Sequence, residues 1–158
     1  MASVGTLSGD PERLLGTWQF ERTIVDAAAH STYTVSGSAV LEPVERGIRW
    51  HEDGMFRRDG ADHPVMRTLF LRPDAIAPGR WHVEFDDGRP FHDWMVDTPV
   101  THRCGADTYR GLVMMIGSDR WSVRWDVEGP QKDYEMTTTY RTPQSGPSDC
   151  ANVEVGAH

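Results

Sequence analysis

The sequence lacks any apolar run near the roughly 18 residues that a membrane-spanning helix needs. Residues 1–16 also lack the basic and apolar regions of a secretory signal. Basic residues are in the minority, since 16 Lys and Arg face 24 Asp and Glu, which leaves a net charge of −8. A chain of this charge is a poor partner for phosphate backbones. We therefore expect a cytoplasmic protein that binds neither nucleic acid nor membrane.

Cysteine is scarce, and the sequence contains no CxxC or HxxxH pair. Cys104 and Cys150 are the only cysteines, and two cysteines in a cytosolic chain more often stay reduced than pair. The segment HRCGAD offers His102, Cys104 and Asp107, whose side chains suit zinc or copper. The spacing favours instead a histidine that is hydrogen-bonded within the wall of the fold. We predict no metal and no cofactor, and we do not expect His102 and Cys104 to form a base and nucleophile.

Long helical periodicity is also absent. Only GDPERLLG indicates a helical turn, with Asp10 as the N-cap and Pro11 at the first helical position. Nearly all later segments alternate apolar and polar residues with period two, which is typical of strands. The clearest of them are TWQFERTI, YTVSGSAVL, GIRWHED, RWHVEF and RWSVRWDV. Turn signals such as DDGR and VEGPQK separate them, so the pattern predicts eight to ten short antiparallel strands.

The predicted inward faces mix large aromatic rings with charged groups. The chain has six Trp and four Tyr, and the alternation places Arg22 and Glu52 on the same side as these rings. Unpaired polar groups in a dry sandwich core cost about 1–3 kcal/mol each, whereas a barrel of this size can hold a cavity where they meet partners. We therefore predict an all-β, antiparallel up-and-down barrel in one domain over residues 10–142. Residues 1–9 are a predicted flexible leader and residues 143–158 a predicted mobile tail.

Two short motifs support the barrel. GTW at 16–18 follows the helical turn, and YR at 140–141 lies in the last predicted strand. In this the chain resembles the calycin-like barrels, which include lipocalins, fatty-acid-binding proteins and nitrobindin-like proteins. The resemblance implies that Trp18 plugs one barrel end and that Arg141 covers its ring by a cation–π contact. A late His ligates haem in the nitrobindin-like proteins, and the closing hairpin here has no His, so haem is not expected.

A longer set of segments carries a second resemblance. It runs through LLGTWQFERTI, GRPFHD, HRCGADTYRG and WDVEGPQKDYEMTTTYR, which together span nearly the whole predicted domain. In these segments the chain resembles an uncharacterised family of small bacterial and fungal proteins catalogued as a domain of unknown function. The resemblance implies a calycin-like fold and no particular activity, so the chemistry has to come from the residues.

The candidate site is the predicted barrel interior. A carboxyl in an apolar pocket can act as an acid, and an imidazole can carry a proton, so Glu52 and His92 are the predicted proton-transfer groups. The predicted ligand-binding residues are Arg22, Trp50, Trp81, Tyr109, Trp125, Lys132, Tyr134 and Tyr140. An ion pair between Arg22 and Glu52, and a solvated turn at Lys132 and Asp133, remain equally open as purely structural roles.

The preferred function is a cofactor-independent enzyme that acts on a small hydrophobic or aromatic molecule. Its acid–base chemistry would be a cyclisation, an isomerisation, or an addition and elimination. The alternative is a carrier that binds such a molecule without changing it, and the third possibility is a metal or haem protein. We expect a monomer or a homodimer.

Overall fold

The computed structural model describes residues 9–143, in which ten antiparallel strands form one sheet that curls into a nearly closed barrel. The chain begins with a 3₁₀ turn, Pro11–Leu14. The strands are β1 (Gly16–Asp26), β2 (Ser31–Val44), β3 (Gly47–Arg58), β4 (Ala61–Pro73), β5 (Trp81–Phe85), β6 (Pro90–Asp93), β7 (Val100–Cys104), β8 (Asp107–Gly117), β9 (Arg120–Gly129) and β10 (Lys132–Arg141). This confirms the predicted all-β barrel, at the upper end of the expected strand count.

The strand order makes the barrel a simple meander. Neighbours in the sheet run β6-β5-β4-β3-β2-β1-β10-β9-β8-β7. Consecutive strands therefore pair from β1 to β6 and from β7 to β10, and β1 pairs with β10. Between β6 and β7 the sheet order has no hydrogen-bonded ladder. The segment after β6 partly covers this gap, because Val96 bridges to Val113 and the Asp97 N–H donates to the Val113 carbonyl at 2.7 Å. The closing hairpin β9–β10 thus meets β1, as the sequence predicted.

One end of the barrel is filled by an aromatic plug, which comprises Trp18, Trp50, Trp94, Trp121 and Tyr140. Trp121 stacks on Tyr140 with ring centroids 4.0 Å apart and planes 10° from parallel. Both side chains are completely buried. Trp50 packs edge-on against Trp94, Trp121 and Tyr140, so each added ring removes further apolar surface from water.

The 3₁₀ turn fastens the N-terminal segment over this plug. Asp10 caps the turn by accepting from the Glu12 N–H at 2.9 Å, as its sequence position predicted. The Trp18 indole N–H donates to the Leu14 carbonyl, and the Trp94 indole N–H donates to the Gly9 carbonyl, both at 2.8 Å. The turn therefore supplies the polar partners that two buried indoles need.

The prediction that Arg141 covers Trp18 is wrong. In the β1–β10 ladder Arg141 pairs with Gln19, on the outward face, whereas Tyr140 points into the barrel. Trp18 instead meets the edge of Trp121 at 6.0 Å. The predicted leader and tail lie almost entirely outside the described residues.

In residues 9–143 no helix has the length and apolar character required to cross a bilayer.

Substitution of the plug tests its role in stability. We expect Trp121→Ala to lower the free energy of unfolding by about 3–5 kcal/mol, because it opens a void beneath Tyr140. Urea unfolding monitored by circular dichroism measures this loss. Ile76→Ala is the control, since Ile76 is 90% exposed and its replacement should change stability by about 0.5 kcal/mol or less. A loss below about 1 kcal/mol for Trp121→Ala would contradict a close-packed plug.

Candidate functional site

A polar cluster lies next to the aromatic plug, centred on the buried carboxylate of Glu52. Its Oε1 accepts from Nη2 of Arg22 at 2.8 Å and faces Nη2 of Arg67 at 3.2 Å. Its Oε2 accepts from the Trp50 indole N–H at 3.1 Å and from the Tyr140 hydroxyl. Both carboxylate oxygens are therefore engaged twice, which leaves Glu52 little capacity to accept a further proton donor.

Strand register brings these groups together. Glu52 on β3 pairs directly with Arg67 on β4, and Arg22 on β1 pairs with Thr138 on β10. The Arg22 Nε–H donates to the Thr138 hydroxyl at 2.7 Å, which fixes the guanidinium in the barrel interior. The structure thus brings together Arg22, Glu52 and Tyr140, three residues that the sequence predicted in one interior.

The ionisation of this cluster follows from its contacts. Burial alone would raise the pKa of Glu52, but the charges of Arg67 and Arg22 and the hydrogen bond from Tyr140 outweigh burial and lower that pKa to about 2. Burial, with the Glu52 charge beside it, raises the pKa of Tyr140 well above its ordinary value. At neutral pH Glu52 is therefore a carboxylate and Tyr140 a neutral phenol.

Arg67 was missed in the sequence. Alternation in VMRTLFLR, residues 65–72, does not by itself decide which face points inward. In the structure Leu69 and Leu71 are the buried residues of β4, and Arg67 continues their period of two. Its guanidinium lies 5.7 Å from the Trp50 ring centroid. Its Nε is buried and has no hydrogen-bond partner among the described residues.

Above the polar cluster the barrel holds two neighbouring cavities that share Arg67 and Met136. The larger cavity has a volume of about 620 Å³. It is lined by Arg67, Thr68, Leu69, Phe85, Asp86, Asp87, Arg89, Phe91, Tyr109, Trp125, Val127, Tyr134 and Met136. The smaller, of about 200 Å³, reaches Arg22 and Glu52 among apolar side chains such as Phe20 and Phe56. The larger volume lies within the roughly 300–1,000 Å³ of typical ligand sites.

A stack of aromatic rings forms one wall of the larger cavity. Trp125 stacks on Phe91 with centroids 5.0 Å apart, and Phe91 stacks on Phe85 at 4.5 Å. The other side of the Trp125 ring rests on Gly111, where an added Cβ would lie 2.6 Å from ring carbons. Since both faces of the indole are covered, one by Phe91 and the other by bare backbone, this wall is rigid and presents ring edges to the cavity.

Three predicted residues meet at the rim. Lys132 donates to the Tyr109 hydroxyl at 3.1 Å and forms an ion pair with Asp107 at 3.1 Å. Burial, together with the neighbouring Tyr109, raises the pKa of Tyr134 to about 12, so this hydroxyl stays protonated at neutral pH. Asp133 is exposed, and its carbonyl accepts from the Ala27 N–H at 2.8 Å. Of the two turn residues, Lys132 alone contacts the cavity lining.

His92 lies beside the cavity wall without lining either cavity. Its ring packs against Phe91 and Trp125, and its Nδ1–H donates to the Asp93 carbonyl at 2.7 Å. Burial, against the opposing effect of that carbonyl, lowers the pKa of His92 to about 4. The imidazole is thus neutral, with its proton on Nδ1. It lines a separate groove of about 460 Å³ near the gap between β6 and β7.

Two predicted tryptophans lie away from the two cavities. Trp50 belongs to the plug, where its indole serves Glu52, and half-buried Trp81 packs on the core at the start of β5. Neither ring is among the residues that line the two cavities.

The HRCGAD segment also takes on a different role. His102 packs on Phe91 and Tyr109, Cys104 is exposed, and Asp107 pairs with Lys132. Within residues 9–143 no three His, Cys, Asp or Glu side chains are grouped so that they could hold a metal ion.

Comparison with known families agrees with this fold. Residues 14–142 match the model of a family of unknown function, DUF6314. The chain therefore belongs to that family, which confirms the resemblance to an uncharacterised domain family. No curated protein matches the sequence significantly.

Solved structures share the barrel at low sequence identity. The chain is similar to the S-type phycobiliprotein lyase CPES from Guillardia theta, with a TM-score of 0.57 and 10% identity over 90% of this chain and 99% of that one. It is also similar to a de novo designed fluorescence-activating β-barrel, with a TM-score of 0.45 and 15% identity over 84% and 96% of the two chains. The likeness to the lyase shows a shared fold.

The polar cluster predicts a specific response to acid. Glu52→Gln removes the only carboxylate that Arg22 and Arg67 contact in the described chain, so we expect a loss of about 3–5 kcal/mol at pH 7. Because the pKa of Glu52 is lowered, its ionised form stabilises the fold above its ordinary pKa of 4.5, and this stabilisation disappears as the pH falls towards 2. The difference between wild type and variant should therefore shrink over that range.

Urea unfolding at pH 7 and at about pH 3 measures both effects. Glu42→Gln is the control, since Glu42 is an exposed residue that pairs with Arg49 on the surface. It should change stability by less than about 1 kcal/mol. A Glu52→Gln protein as stable as wild type at pH 7 would show that the cluster does not hold the barrel together.

Proposed function

We propose that this barrel binds a small, flat, aromatic or conjugated molecule in its larger cavity. One observation carries the proposal: a cavity of about 620 Å³ whose wall is the aligned stack of Trp125, Phe91 and Phe85. A ligand with a planar ring system can pack against the edges of these rings, in the edge-to-face geometry that aromatic pairs favour, without first ordering the wall. This lowers the entropic cost of binding.

The rim supports the same proposal. Tyr109 and Tyr134 line the cavity with hydroxyl groups, and Lys132 holds Tyr109 in place. A few convergent polar groups in an otherwise apolar pocket are the usual means of orienting a ligand. The likeness to the phycobiliprotein lyase supports the fold on which the proposal stands, and no ligand is carried over from that protein.

Blocking the cavity tests the proposal. Met136 lines both cavities, so Met136→Trp should fill the space and weaken binding of the fluorescent neutral probe N-phenyl-1-naphthylamine by about tenfold or more. Fluorescence titration of the full chain measures the Kd.

The matched control is Met114→Trp, the same substitution on β8 at a side chain that is 44% exposed and lines neither cavity. It should leave the Kd within about twofold of wild type. Equal Kd values for wild type and Met136→Trp, with both folded, would mean that the probe does not bind in the barrel and would contradict the proposal.

A second candidate function is acid–base catalysis on a molecule in the separate groove that His92 lines, with His92 as the proton-transfer group. The observation that favours it is a neutral imidazole in a single tautomer, whose Nε2 has no hydrogen-bond partner among residues 9–143. Such a nitrogen can accept a proton. Glu52, the other predicted proton-transfer group, is fully engaged by its four donors, so we assign the role to His92 alone.

Exchange of substrate protons with solvent tests this second function. Cyclisation, isomerisation and elimination all move protons, so wild type incubated with a metabolite extract in D₂O should add deuterium to a specific small molecule. His92→Gln should lose this activity, whereas His63→Gln, at an exposed position on β4, should retain it. Mass spectrometry measures the incorporation. No labelled molecule, or equal labelling by His92→Gln, would remove the catalytic proposal and leave binding intact.

A further inference from the structure

The charges of the polar cluster around Glu52 do not balance. Arg22 and Arg67 both contact the single carboxylate of Glu52, and the described chain offers neither of them a second carboxylate. Tyr140 is a neutral phenol and His92 a neutral imidazole at pH 7. The polar cluster therefore carries a net positive charge in a region partly removed from water. Such a charge is costly unless an anion binds beside it.

Arg67 is the guanidinium that carries this surplus. Arg22 is nearly buried, and its Nε and Nη2 donate to Thr138, Glu52 and Tyr140. Arginine offers several N–H donors, and among the described residues only Nη2 of Arg67 has a partner, while its Nε is buried and unpaired. The Arg67 side chain is 34% exposed and lines both cavities, so a ligand can reach it.

Carboxylates at the cavity mouth do not remove the surplus. Asp86 and Asp87 are the only carboxylates that line the larger cavity, and both are exposed in the turn between β5 and β6. Asp87 is bound by Arg89 at 2.7 Å within the same turn. Exposed charges of this kind are well screened by water and salt, and they do not compensate the guanidinium of Arg67 in the polar cluster.

We propose that Arg67 receives the anionic group of an aromatic acid, whose ring system packs against the exposed edge of Trp125. Both residues line the larger cavity, so one molecule can contact the two. The guanidinium fork suits a carboxylate or sulfonate, and the aromatic wall suits the ring that bears it. This inference rests on the proposed binding function and adds the charge of the ligand to its shape.

The overall charge of the protein does not favour the binding of anions. A net charge of −8 repels anions from the molecule as a whole, so an acidic ligand is not attracted by the general surface. A preference for an anion must come from a local group, and Arg67 is the arginine among the described cavity residues whose Nε is buried without a hydrogen-bond partner.

Two fluorescent probes with the same ring system separate charge from shape. 8-Anilinonaphthalene-1-sulfonate carries a sulfonate, whereas N-phenyl-1-naphthylamine lacks it. We expect wild type to bind the sulfonate about tenfold more tightly or better, as a charge-assisted hydrogen bond to a poorly solvated guanidinium provides. Arg67→Gln should abolish this preference, so that the Kd values of the two probes for the variant lie within about twofold of each other.

Arg110→Gln is the control for the loss of one positive charge. Arg110 is exposed on β8 and lines neither cavity, so this variant should keep the preference of wild type. Arg67→Gln is expected to fold, because Glu52 retains Arg22, Trp50 and Tyr140. If circular dichroism shows that it does not, Arg67→Lys decides instead: it keeps the charge but loses the fork, so the preference should fall without vanishing.

The outcomes distinguish this inference from the proposed function. If wild type binds both probes equally, or if the Arg67 variant that folds leaves the ratio of Kd values unchanged, the anion site is overturned while the cavity still binds aromatic molecules. If neither probe binds, or if Met136→Trp weakens neither, the proposed binding function fails and the anion site fails with it.

Discussion

The structure depends on one buried carboxylate with four donors. Glu52 on β3 joins Arg22 on β1, Arg67 on β4 and Tyr140 on β10, so a single side chain ties four strands across the barrel interior. A charge at this depth is tolerated because Glu52 accepts three hydrogen bonds, from Arg22, Trp50 and Tyr140, and forms a second ion pair with Arg67. Hydrogen bonds between neighbouring strands then form the barrel wall around the Glu52 cluster.

The cluster also divides the barrel into two parts with different roles. On one side, the indole of Trp50 and the hydroxyl of Tyr140 reach the carboxylate from the aromatic plug, so the plug is fastened as well as packed. On the other side, Arg67 faces the cavities, where its spare donors have no protein partner in the described chain. The residues of the polar cluster therefore lie at the end of the packed core and at the beginning of the candidate site.

Alternation in the sequence was enough to predict the barrel and its inward aromatic rings, because period two specifies which face of each strand is buried. It failed where the signal was weak or was misapplied. The inward face of residues 65–72 could not be assigned, so Arg67 was not predicted as an interior residue. Its position opposite Glu52 depends on the register between β3 and β4, which alternation within one strand does not give. Arg141 was placed over Trp18 against the alternation, which turns it outward once Tyr140 faces inward. A β-bulge in the β5–β6 hairpin, invisible in a period of two, brings Phe91 and His92 both against Trp125.

Binding and catalysis make different demands on this site, and the geometry meets them unequally. A binding cavity needs shape and matched polarity, which the wall at Trp125 and the spare donors of Arg67 supply together. A general acid–base catalyst works best with a group whose pKa lies near the operating pH. The pKa values of Glu52, about 2, and His92, about 4, are both well below neutrality, so each group is deprotonated and only weakly basic. A ligand that brings a negative charge close to His92 would raise its pKa towards neutrality, because an anion favours the imidazolium form. An acidic ligand held by Arg67 would act in this direction, because it would offset the positive charge through which Arg67 lowers the pKa of His92.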